Sequence, residues 1–158
     1  MGGNNMWLER LSAWFETRPR QGALVLCLPA YRPDVVQDAA NRLGLDLVDF
    51  RARYMAPLKW DASKLTIEDL NAAVEALLAG SKPVMLHNVE ALLALKPAEV
   101  RKQWLADVLS RPLAGALVLP LFLYAAERPK LADDRCLVLD AAELPSESLL
   151  DRLSGFRG

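Results

Sequence analysis

Apolar residues fall along this chain in two rhythms. Short apolar runs at 23–28, 83–86, 116–119 and 136–139 alternate with longer stretches in which apolar side chains recur every three or four positions. The first long stretch puts Met6, Trp7, Leu8, Leu11, Trp14 and Phe15 on one helical face and Glu9, Arg10 and Ser12 on the other. That helix is predicted to end near Thr17, because Pro19 disfavours helix at Arg18. A second helix is predicted from Pro33 to Leu43, with Val35, Val36, Ala39, Ala40 and Leu43 inward and Gly44 as its stop. Thr66 opens a third helix, with Glu68 and Asp69 in the first turn and Leu70, Ala73, Val74, Leu77 and Leu78 as its buried stripe. A short apolar helical piece runs through Leu95. A fourth helix follows Pro97, with Val100, Trp104, Leu105 and Val108 on one side and Pro112 closing it. A last helix is expected over 146–153.

Strand-like runs with little alternation predict burial on both faces, the mark of a parallel sheet covered by helices. Residues 46–50 interleave Asp46 and Asp49 with apolar neighbours, which predicts a fifth strand near a sheet edge. Strand four has room to extend from 116 through Tyr124. Residues 51–63 show no period and read as a surface loop. The expected fold class is α/β, a three-layer α/β/α sandwich around a mainly parallel five-stranded sheet. One domain is expected over 1–158, with an N-terminal helix and linker at 1–20 ahead of the core at 21–158.

Composition narrows the chemistry. The chain has 158 residues, 53% hydrophobic and 25% charged, which suits a folded domain and excludes a disordered one. Its net charge of −1 supplies no field for nucleic acid or acidic lipid, so nucleic acid is expected only through partners. Cys27 and Cys136 each sit in an apolar run and read as reduced, buried thiols. A single histidine, His87, and no Cys/His cluster leave no metal expected. The opening MGGNNMWLERL lacks a signal-peptide layout, and the longest apolar run, 114–126, is too short to span a bilayer. A cytoplasmic protein with no membrane association is expected.

The stretch GALVLCLPAYRPD, residues 22–34, organises the rest: a strand, a turn, then a helix. In nucleotide-binding α/β folds such a turn grips phosphate with free N–H groups at a helix N-terminus. Here the turn has no glycine and no lysine. Pro29 and Pro33 donate no N–H, and Asp34 sits in the helix's first turn, where it would repel an anion. Arg32 could supply a lysine's charge without the cradle. At the end of strand three the sequence reads VMLHNVE, with His87 where a magnesium-binding acid would stand and imidazole a poor ligand for that ion. Strand four ends in Leu119, Pro120 and Leu121, where a polar sensor residue would be expected.

Element order, size and these positions resemble a P-loop NTPase of the kind with an extra strand between the two phosphate-site strands. In length and layout the chain is similar to BrxF, the small ATPase-like subunit of bacterial phage-exclusion (BREX) systems, over roughly residues 23–140. The resemblance implies a degenerate Walker A site, a pseudo-ATPase with no cofactor, and a structural or regulatory role in a bacterial antiviral-defence complex. Its partners would be other proteins or further copies of itself. Trp7 and Trp14 on the first helix, and Tyr54 and Trp60 in the basic-aromatic loop with Arg51, Arg53 and Lys59, are the expected protein-binding residues. Two alternatives stay open. A retained nucleotide would use Arg32, Tyr31 and Asn88. A small thiol enzyme would use Cys27, whose spacing to Arg32 resembles a rhodanese-type active loop, with His87, Asn88 and Glu90 as possible partners.

Overall fold

The computed structural model describes residues 5–18, 21–80 and 82–146. Five strands form one parallel sheet: β1 (Ala23–Cys27), β2 (Asp46–Asp49), β3 (Val84–His87), β4 (Leu117–Leu121) and β5 (Cys136–Val138), in the order β2-β3-β4-β1-β5. The acid-bearing β2 lies at an edge, as its alternation predicts. The helices are α1 (Met6–Glu16), α2 (Pro33–Leu43), α3 (Ile67–Leu78), α4 (Glu90–Leu93) and α5 (Ala98–Ser110). Helix α2 starts at Pro33 and ends at Leu43, where the pattern predicts it, with Gly44 left-handed at φ 68° just past its end. Thr66 caps α3 in a reciprocal box: its hydroxyl accepts from the Asp69 N–H and Asp69 accepts from the Thr66 N–H.

Two layers of helix cover the sheet. Leu70 and Val74 of α3, Leu92 and Leu93 of α4, and Trp104, Leu105 and Val108 of α5 share one core with Val25, Leu86 and Leu119. Trp7, Leu11, Trp14 and Phe15 of α1 share the other with Val35, Val36 and Ala39 of α2 and with Leu24, Leu26 and Met85. Helix α1 is further tied down by Arg42, which reaches Ser12 Oγ at 2.9 Å and Glu9 Oε1 at 2.7 Å, and by an Arg10–Glu143 pair at 3.0 Å. Among the described residues no helix is long and apolar enough to cross a membrane.

The structure differs from the pattern in several places: Met6 of the α1 stripe is 74% exposed, and Cys136, expected to be buried, is half-buried. The segment 51–64 is two short helical pieces, a π-type turn at Arg51–Met55 and a 3-10 stretch at Ala56–Lys64, not a featureless loop. It shows no period because nothing in the second piece is buried. Val100 is exposed rather than inward, since the buried face of α5 runs through Trp104, Leu105, Val108 and Leu109. Strand β3 includes His87. Strand β4 passes through Pro120, although proline is rare in central strands. Leu121 turns its carbonyl toward β1, bonding the Leu28 N–H at 2.8 Å, so Pro120 faces β3. The β3 pairing ends at Met85↔Val118, because the next bond of that ladder would need the N–H that Pro120 lacks. The helix expected over 146–153 lies outside the described residues apart from Ser146.

Candidate functional site at the carboxyl edge of the sheet

In parallel α/β sheets the loops past the strand ends carry ligands. Here those loops are closed on themselves. After β1 the chain turns through Leu28 to Arg32 into α2. Arg32 is buried, and its guanidinium grips Asp34 with both forks, Nε to Oδ1 at 3.0 Å and Nη2 to Oδ2 at 2.9 Å. Its Nη2 also donates to the Pro145 carbonyl at 2.7 Å. The bonds from Arg32 hold the Asp34 carboxyl below its ordinary value, against a smaller opposing effect of burial. The residue that could have met a phosphate therefore already has its carboxylate, in the bidentate geometry that makes such pairs strong.

The Tyr31 side chain, carried by the same turn, reaches across to the end of β3. Its ring lies nearly parallel to that of His87, with centroids 5.8 Å apart and planes 13° apart, and it is tilted 51° against Phe122 with centroids 5.6 Å apart. His87 is 9% exposed, and neither ring nitrogen has a hydrogen-bond partner among the described residues. Burial pushes the imidazole pKa down, with the Asp49 charge opposing. Neutral imidazole is thus favoured in the fold. Asn88 follows with φ 67°, and its Nδ2 donates to Asp49 Oδ1 at 3.1 Å, so this amide too is engaged within the protein. Among the described residues no group of three or more His, Cys, Asp or Glu could hold a metal ion.

His87 is the single histidine in the sequence, so its imidazole gives one resolved NMR titration. The midpoint is expected below the ordinary 6.5. With the folded pKa depressed, the stability His87 contributes is complete above 6.5 and is lost as pH falls through the folded pKa. A midpoint at or above the ordinary value would mean that the ring is solvated or paired.

Glu90 is the residue whose role the sequence hid. It is 4% exposed. Its Oε1 accepts from the Phe122 N–H at 3.0 Å and its Oε2 from the Tyr124 N–H at 2.6 Å, which fastens the loop after β4 to the start of α4. Burial pushes its carboxyl up, and the backbone N–H groups of Phe122, Tyr124 and Leu123 pull it back down. The chain supplies its own anion to the amides past β4. The one signal in the sequence is a lone acid inside the apolar run Val89, Ala91, Leu92, Leu93.

Cys27 does not join this edge as a nucleophile. It is 4% exposed and packs in the core with Val25, Leu119 and Leu121. Met85 belongs to the opposite core, and His87, two residues along the same strand, shares its side. Cys27 and His87 therefore face opposite sides of the sheet with β4 between their strands. Trp7 and Trp14, expected at a binding surface, are 1% and 7% exposed and lie inside the chain's own core. Periodicity alone cannot tell a stripe that docks at home from one that docks on a partner. Tyr54 is half-buried against Phe50, with centroids 4.9 Å apart, while the Arg53 guanidinium lies 5.5 Å from the Tyr54 ring centre. Trp60, by contrast, is 93% exposed. No family model matches this chain, and no curated protein matches it at a significant level.

Proposed function

We propose that this protein is a non-catalytic, P-loop-like subunit that serves as a structural or regulatory protein-binding module, within a bacterial assembly of the phage-exclusion type. The observation that carries this reading is the closed Arg32–Asp34 pair in the turn after β1. A triphosphate would have to part this pair, and Pro29 and Pro33 offer no N–H in return. Two further observations support it. Strand β4 lies between β1 and β3, the order expected of the NTPase kind that the sequence resembles. The end of β3 carries His87 under Tyr31 rather than an exposed carboxylate.

Melting the full chain with and without ATP and magnesium tests the reading. A site filled at about 100 times its dissociation constant would add about 2.7 kcal/mol, a rise of roughly 5–10 °C for a domain of this size. No rise is expected. A rise of that size, abolished by Arg32→Ala, would mean that the turn opens to hold nucleotide, and the retained-nucleotide alternative would replace this one.

A further inference from the structure

The 51–64 segment brings four cations, Arg51, Arg53, Lys59 and Lys64, against one acid, Asp61. At its tip Lys59 has φ 52° and ψ −121°, a conformation that costs a non-glycine residue energy and that persists only where its surroundings fix it. The Ser63 hydroxyl bonds the Trp60 carbonyl at 3.1 Å, and Lys64 pairs with Asp61 at 3.3 Å. The result is a preshaped knob whose apex shows Leu58 at 41% and Trp60 at 93% exposure. Tryptophan anchors protein interfaces when a desolvated pocket receives it.

Close along the chain lies a groove of about 580 Å³ between the N-terminal turn of α3 and the α5 face from Glu99 to Asp107. Ile67, Val100 and the edge of Trp104 give it apolar walls, and Glu68, Glu99 and Asp107 line it with carboxylates. Lys96, the cation on its wall, already donates to the Leu65 carbonyl. The groove is thus apolar and acidic, and the apex of the knob offers Leu58, Trp60 and the Lys59 cation. Knob and groove are also neighbours, because the 3-10 stretch Ala56–Lys64 runs through Leu65 straight into α3. Two complementary features this close along the chain can each meet the other's counterpart about a single two-fold axis, which satisfies both at once.

We propose that the chain self-associates as a two-fold dimer in which the Leu58, Lys59 and Trp60 knob of each copy fills the α3/α5 groove of the other. Trp60 enters between Ile67 and Val100, and Lys59 meets Glu68 and Glu99. This deepens the protein-binding reading by naming its partner as a second copy. It fails independently of the ATP experiment, which probes a different edge.

The test uses the full chain. Trp7, Trp14 and Trp104 are 1%, 7% and 2% exposed, so acrylamide quenching of tryptophan emission reads Trp60 almost alone. Sedimentation velocity and quenching are followed together from about 1 to 100 µM, the range where a small interface associates. The mass is expected to double while the quenching constant falls several-fold. Trp60→Ala is expected to stay monomeric over the whole range. Lys59→Glu is expected to weaken association about tenfold, and adding Glu99→Lys to restore most of it. A monomer at every concentration, a dimer in which Trp60 stays fully quenchable, or a dimer indifferent to Trp60→Ala would each overturn the proposal.

Discussion

Trp7→Ala is expected to cost about 4 kcal/mol and to lower Tm by roughly 12 °C, read by urea and thermal unfolding followed by circular dichroism. Trp7 is 1% exposed and shares its core with Leu11 and Phe15 of its own helix and with Leu24 and Leu26 of β1. Removing the indole leaves a cavity beside a β-strand that cannot move inward, because β1 is bonded on both sides, to β4 and to β5. Met6→Ala on the same helix is the control, since Met6 is 74% exposed and its loss is expected to stay within about 0.5 kcal/mol. Equal effects of the two substitutions would mean that α1 is an appendage. The expected disparity makes α1 part of the domain and places the partner surface elsewhere.

Glu90→Ala is expected to cost about 3 kcal/mol. The carboxylate holds two backbone donors at 3.0 and 2.6 Å, and its loss leaves the amides of half-buried Phe122 and Tyr124 without that acceptor. Glu90→Gln keeps one acceptor oxygen but turns an NH₂ toward the other donor, so it should recover only part of the loss. The two variants also separate geometry from charge. Burial holds the folded pKa of Glu90 above the ordinary 4.5, so its contribution is complete below that value and declines as pH rises through the folded pKa. Glu90→Gln cannot ionise and should flatten that part of the stability profile. A Glu90→Ala protein as stable as the parent would show that the loop at Phe122 to Tyr124 is held by something else, and that the carboxyl edge is less closed than drawn.

Most of the secondary structure was legible because it rests on local rules. The Pro33 start and Gly44 stop of α2, the Thr66 cap of α3 and the uniformly apolar β1 are each set within one element. Reading went astray where burial depends on what lies opposite. Val100 fits an inward stripe by spacing yet faces the open groove, and of residues 51–64 only Met55 is buried, too little to announce the helical turns there.

By itself the sequence determined an α/β chain with parallel strands, and a turn after β1 that holds no glycine, lysine, serine or threonine, because composition and periodicity are properties of contiguous residues. Tertiary structure alone decided the strand order, the pairing of Glu90 with amides more than thirty residues away, the stacking of Tyr31 on His87, and which tryptophan faces solvent. Those outcomes join residues far apart in the chain, and a hydrogen bond or a stacked ring leaves no mark in the local pattern of either partner. Four tryptophans look alike in the sequence, and only the packed layers separate the three that hold the core together from the one left in water.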